Sequence, residues 1–199
     1  MRRPKRGSNS WSGSEVAEFV AENLRRRFGD ALERVSDELG DLTVWVDRAR
    51  VHELLDHCKR DPELDFSFCM DVTAVDYLTL GGTPRFAVVY HLYSLKTGKR
   101  VRVKTGVPED DPVVATAVDV WKSTDWFERE VYDMFGIRFE GHPNMKRILC
   151  HRDFQGHPLR KDYPADLRWK LLQPDDLLDE ISSDEMKRIR ARASHPISE

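Results

Sequence analysis

Charged and aromatic side chains alternate through Asp125-Trp126-Phe127-Glu128-Arg129-Glu130-Val131-Tyr132-Asp133-Met134-Phe135-Gly136. At about 100° per residue, Asp125, Arg129 and Asp133 fall on one line of a helix, where Arg129 can bridge both acids. That line is compatible with a wet face. The opposite arc carries Trp126, Phe127, Val131, Met134 and Phe135. Glu130 lies inside this arc, between Trp126 and Met134, and Glu128 lies between Tyr132 and Phe135. Neither glutamate has a cation within helical reach. A buried carboxylate without a partner costs several kcal/mol or takes up a proton. Three readings follow for the pair: solvation at the margin of the arc, service as a catalytic acid, or membership of an ion-pair network within the chain or across an interface. The network reading is preferred, because Arg138, Lys146, Arg147, Arg160 and Lys161 follow within reach of a chain that folds back.

Other residues of chemical interest occur nearby. Gly141-His142-Pro143 and Gly156-His157-Pro158 repeat one pattern. Glycine permits a tight bend and proline biases the preceding histidine toward extended backbone. Such a histidine can brace a turn by hydrogen bonding. Metal ligation by His142 and His157 is disfavoured, since no cysteine or third histidine stands at ligand spacing. Arg160-Lys161-Asp162-Tyr163-Pro164 could touch phosphate, but the interleaved acid and proline favour a fixed, ion-paired turn. His52-Glu53-Leu54-Leu55-Asp56-His57 is one residue too long for a zincin motif, which would set its imidazoles about 140° apart on a helix. No phosphate-binding loop, dinucleotide fingerprint or nucleophile elbow is present. Cys58, Cys69 and Cys150 form no CxxC pair, which argues against a zinc ribbon or an iron–sulfur cassette and for a reducing compartment.

The elements that must position these residues are readable from periodicity. Ser12 and Glu15 have capping-box spacing, and Val16, Phe19, Val20, Leu24 and Phe28 then share a helical face. Strands are expected over 31–36 and 42–46, around a Gly40-Asp41 turn. Asp47 is placed to cap a helix burying Val51, Leu54, Leu55 and Cys58, which Asp61-Pro62 ends. Strands are expected within Phe66–Tyr77, over Arg85–Tyr93 and over Arg100–Val107, the last with Val101, Val103, Thr105 and Val107 inside. Two helices are expected over 112–121 and 124–135. Beyond Gly136 prolines punctuate the chain and apolar periodicity fades, although Ser182 and Glu185 could open a short terminal helix. The predicted fold class is α+β: a mixed or antiparallel sheet of about four to five strands with packed helices, followed by a long extended C-terminal arm. Residues 1–12 are expected to be a disordered basic tail, 13–136 the α+β domain, and 137–199 an extended arm that wraps partner proteins.

The whole-chain balance limits the partners. The 199 residues carry 32 basic and 35 acidic side chains, a formal charge of −3. That near-neutrality opposes bulk nucleic-acid or membrane-surface binding. No apolar run approaches the length of a membrane span.

Three segments together, Trp126–Ile137, Phe139–Leu149 and Asp153–Pro164, closely resemble the 30-kDa, or C-type, subunit family of respiratory NADH–quinone oxidoreductase, complex I. Asp71–Tyr77 also looks like that family, so the resemblance spans most of 66–164. It implies a non-catalytic structural subunit of the peripheral arm of an enzyme that passes electrons from NADH through FMN and iron–sulfur clusters to quinone while translocating protons. None of these cofactors is implied to bind this chain; they belong to partner subunits. Its implied partners are the large quinone-site subunit and neighbouring iron–sulfur subunits. The implied location is the cytoplasmic side of a bacterial inner membrane, reached only through the complex. A bacterial-type chain is also expected because no long transit peptide precedes the domain. The motif residues Glu128, Arg129, Glu130, Asp133, His142, Arg147, His157, Arg160, Lys161, Asp162 and Tyr163 are implied to form the interface network. A homologous place in a membrane-bound hydrogenase, or in a quinone oxidoreductase fed by another donor, fits the same residues. A hydrolase using His142 or His157, and an RNA-binding module using the basic N-terminus and Arg160-Lys161, are weaker alternatives.

Overall fold

The structure, a computed structural model, describes residues 13–38, 40–151 and 154–166. The expected basic tail over 1–12 and the terminal helix near Ser182–Glu185 lie outside them. Helix α1 (Gly13–Phe28) buries Ala17, Val20, Ala21, Leu24 and Phe28. The hairpin β1 (Leu32–Glu38) and β2 (Asp41–Val46) follows, turning at Gly40, whose φ of 80° suits a residue without a Cβ. Asp47 accepts the Ala49 amide at 2.7 Å, opening a short turn that leads into α2 (Val51–Arg60). The expected stripe Val51, Leu54, Leu55 and Cys58 is wholly buried.

Strands β3 (Phe68–Asp76), β4 (Phe86–Tyr93) and β5 (Arg100–Val107) complete a five-stranded sheet in the order β1-β2-β5-β4-β3. Only β2 and β5 run parallel within it; the other neighbours are antiparallel. The register stacks Val44, Val103, Tyr90 and Val72 in one row that enters the core. One residue further along, Trp45, Lys104, Val89 and Thr73 line up on the opposite face, as the period of two demands.

The sequence expectation fails over 112–121. Val113–Ala115 is a short strand, β6, and only 117–121 makes a single helical turn, closed by the Trp121 amide on the Ala117 carbonyl. Val113 and Val114 are β-branched and favour extended backbone. Their ladder partner is β7 (Arg138–Glu140), which pairs in parallel from beyond the helix α3 (Thr124–Phe135). No local pattern announces a partner that far away. Helix α3 packs against β3, and its Val131, Met134 and Phe135 join the same core as the sheet.

A second difference concerns the boundary after Gly136. The compact unit does not end there: it continues to Pro164, and the remaining unit is Ala165–Glu199. Residues 138–151 and 154–164 fold back on α3 and the sheet instead of leaving as an arm. Among the described residues no helix is long and apolar enough to cross a membrane.

Candidate functional site

An α-helix leaves its last carbonyls without intrahelical donors. At the C-terminus of α3 the following segment supplies them. His157 Nδ1 sits 3.0 Å from the Asp133 carbonyl, the Leu159 amide donates to Met134 at 3.1 Å, and Arg160 Nε donates to Phe135 at 2.6 Å. The Arg160 cation also suits the negative end of the helix dipole. Gly136 holds the turn with φ of 77° and donates to Tyr132. A Cβ at Gly136 would lie 2.6 Å from both the Arg160 guanidinium and the His157 ring. Glycine is required here twice over, by conformation and by space.

Asp133 organises the segment's first half. Its side chain is fully buried, and Oδ2 accepts the amides of Ile148, Leu149 and Cys150 at 3.0, 2.8 and 2.9 Å. Burial pushes this carboxyl upward, yet the three amides outweigh it and hold the group below its ordinary value. Arg147 Nε approaches Oδ1 at 3.6 Å, and its guanidinium donates to the carbonyls of Phe154 and Gly156. The helical line of Asp125, Arg129 and Asp133 is therefore not a wet ion-paired face. Asp133 takes main-chain donors, Asp125 faces His142, and Arg129 stacks on Trp126 and donates to the Lys146 carbonyl. The His142 side chain is buried: its Nδ1 accepts the Asn144 amide, which leaves Nε2 to donate to the Asp125 carbonyl at 3.2 Å.

The end of the segment meets a cluster that sequence reasoning did not single out. Arg85 forks onto Asp76 with both members buried, at 3.1 and 2.9 Å. Its guanidinium also reaches Glu109 and Asp162, the latter at 2.6 Å. The Lys161 contribution is its backbone amide, donated to Asp76 at 2.9 Å. Desolvation pushes the Asp76 carboxyl up, but the Arg85 fork and the Lys161 and Leu78 amides hold it at about 2. Asp162 is held below its ordinary value by Arg85. Tyr163 stacks on Phe154 at 5.7 Å and donates to the Gln155 carbonyl. Asp76 belongs to the Asp71–Tyr77 segment that carries part of the family resemblance. Arg85 gives a weaker sign, a lone guanidinium leading the run Phe86-Ala87-Val88-Val89-Tyr90.

The two glutamates exchange their expected places. Glu130 is exposed, beside a Trp126 that is 61% exposed, and among the described residues it makes no ion pair. The buried face is centred on Thr124, Glu128, Val131 and Phe135, which puts Glu128 at its middle with no exposure. Its partners are not cations. Thr116 Oγ1 donates to Oε2 at 2.6 Å and the Ala117 amide to Oε1 at 2.7 Å, both from the turn after β6. Desolvation dominates these bonds and pushes the carboxyl up to about 7. Of the five cations expected to pair with α3, Arg147 alone approaches one of its carboxylates among the described residues.

The arrangement is a clamp built largely on main-chain bonds. His142 and His157 are both engaged with main chain. The Cys58 and Cys69 thiols are buried, and desolvation pushes Cys69 up to about 12, so neither is a ready thiolate. Among the described residues no group of three or more His, Cys, Asp or Glu side chains could hold a metal ion.

The family model of the respiratory-chain NADH dehydrogenase 30 Kd subunit matches residues 44–168. This chain belongs to that family. The 30 Kd match encloses every clamp residue from Asp76 to Tyr163 and leaves α1 outside. The C-type subunit of NADH-quinone oxidoreductase from Citrifermentans bemidjiense is 50% identical over 141 residues, covering 71% of this chain and 85% of that protein. The protein of the same name in Burkholderia cenocepacia is 41% identical over 153 residues, covering 74% and 76%. Among solved structures, a trypsin-resistant fragment of Nqo5 superposes with a TM-score of 0.57 at 41% identity, covering 65% of this chain and 98% of the fragment. A chain of the membrane-bound sulfane sulfur reductase, an archaeal respiratory membrane complex, gives 0.62 at 28% identity over 76% and 86%. The α+β class with a mixed five-stranded sheet is common to this family and this chain.

Proposed function

We propose that the chain is the non-catalytic 30-kDa subunit of the peripheral arm of an NADH–quinone oxidoreductase. It carries no cofactor of its own and acts by fitting against the quinone-site subunit and neighbouring iron–sulfur subunits. The observation that carries this reading is where the motif residues go. Asp133, His142, Arg147, His157, Arg160 and Asp162 are all engaged with this chain's own groups, so they shape a surface. Trp126 and Glu130 on α3, and Leu149 and Leu159 on the returning segment, are exposed side chains of the kind another protein can cover. Under this reading the membrane is reached only through the complex, on the cytoplasmic side of a bacterial inner membrane.

A tagged full-length chain purified from its native host should bring down a complex containing FMN and iron–sulfur clusters that oxidises NADH with quinone. The chain purified alone should show no flavin or cluster absorbance. Turnover by the isolated chain, or recovery without companions, would overturn the reading. The likeness to a sulfane sulfur reductase chain favours a second reading, the same architectural place in a complex fed by another donor. A purified complex inactive with NADH but active with another reductant would establish that one.

A further inference from the structure

The outer face of the sheet carries an open groove of about 400 Å³, one end of which is lined by Tyr77 and Pro84, the chain neighbours of Asp76 and Arg85. Its charged lining is unequal: Arg34, Arg102 and Lys104 stand against Glu38 alone. Two of the cations are already matched. Arg34 reaches Glu38 at 3.4 Å, and Arg102 reaches Asp41 at 3.2 Å and the Thr43 hydroxyl at 3.1 Å. Lys104 has no carboxylate partner among the described residues. Its ammonium lies over the Trp45 ring at 5.3 Å, and Trp45 tilts against Tyr77 at 6.5 Å. This is not a simply wet face: Val89 and Thr43 on it are only 3% and 7% exposed. Burial, with Arg102 and Arg34 adding to it and Glu38 opposing it, depresses the Lys104 ammonium below its ordinary value. In a chain whose net charge is −3, this local positive excess is a departure from the average.

We propose that the groove seats an acidic segment of a neighbouring protein in the assembly. One carboxylate pairs with Lys104 between Arg34 and Arg102, and an adjacent apolar side chain lies on Trp45 and Tyr77. The charge complement decides the occupant. A nucleic-acid strand needs a run of cations tracking successive phosphates, whereas a single unmatched ammonium beside an aromatic platform fits one acidic and one apolar side chain. The inference rests on the reading of the chain as a subunit of a larger assembly.

Zero-length carbodiimide coupling of the intact purified complex, read by mass spectrometry, tests it directly, because that reagent joins a lysine only to a carboxylate in contact. An isopeptide between Lys104 and an aspartate or glutamate of another chain is expected. Lys104→Glu should weaken retention of that neighbour about tenfold and lower the salt at which it dissociates, while Lys104→Arg retains it. Coupling of Lys104 only to this chain's own carboxylates, or no coupling there while other lysines of this chain link to neighbours, overturns the groove proposal and leaves the subunit reading intact. Recovery of the chain without companions overturns both.

Discussion

Glu128 and Asp133 are buried carboxylates on one helix, five positions apart, and they are driven in opposite directions. Asp133 meets three amides on one oxygen and stays ionised below its ordinary value; Glu128 meets one hydroxyl and one amide, and desolvation lifts it to about 7. The consequences for stability have opposite signs. A raised carboxyl contributes stability that is fully present below its unfolded value near 4.5 and is lost as pH rises through about 7. A depressed carboxyl contributes stability present above its unfolded value and lost as pH falls through the folded one. Glu128→Gln keeps an acceptor for the Ala117 amide and offers Thr116 a donor, so it mimics the protonated state. Urea denaturation of this variant should show little of the decline in stability between about pH 5 and 7.5 that the parent shows, a difference on the order of 2–3 kcal/mol at the upper end. Parallel pH profiles for parent and variant would refute the assignment. Asp133→Asn loses the charge that three amides solvate and should cost about 2 kcal/mol. Trypsin should then cut after Arg147 faster, and an unchanged cleavage rate there would remove Asp133 as the organiser of that turn.

At the scale of the element, the C-terminus of α3 shows how a helix end becomes a docking point for its own chain. The carbonyls of Asp133, Met134 and Phe135 are each met by a group from 157–160, and Gly136 must keep out of their way. Gly136→Ala adds the left-handed penalty of about 1–2 kcal/mol and a Cβ against Arg160 and His157. A total loss of about 2–4 kcal/mol is expected from chemical denaturation. Gly136→Asn, which tolerates the conformation, should recover only part of it because the same Cβ remains. Full recovery by asparagine would mean that space is not the constraint. The helical wheel of the sequence places Glu130 inside and Glu128 at the rim. It identifies the helix and its length but not its rotation, because rotation is set by what covers each side. Here the turn after β6 meets Glu128 and the returning segment covers Asp133, leaving Trp126 and Glu130 outside.

At the scale of the whole molecule, Arg85 ties together four places distant in the chain: the end of β3, the start of β4, the stretch after β5 and the turn at Asp162. Two of its partners are more than half exposed, and their pairs contribute little by themselves. The pair with Asp76 is different, since both side chains are buried. Arg85→Met leaves a buried carboxylate without its cation and should cost about 3–5 kcal/mol, measured by urea denaturation. Adding Asp76→Asn should restore part of that loss, and strict additivity of the two changes would show that the pair is not coupled. A fault at this hub should also loosen 155–166, which limited proteolysis would register.

The sequence alone determined the alternation of β5, the stripe of α2, the extent of α3 and, through the dense motif of 126–164, the family. Each of these is written in residues close to one another, where period and capping chemistry act locally. Tertiary structure decided what distance conceals. It set which glutamate is dry and gave Val113–Ala115 a strand partner from beyond α3. It carried the compact unit on to Pro164 and made Arg85 a hub through Asp162, seventy-seven positions away. Burial and charge pairing depend on which surfaces meet, and that is settled only when segments far apart in the chain compete for the same face of the sheet.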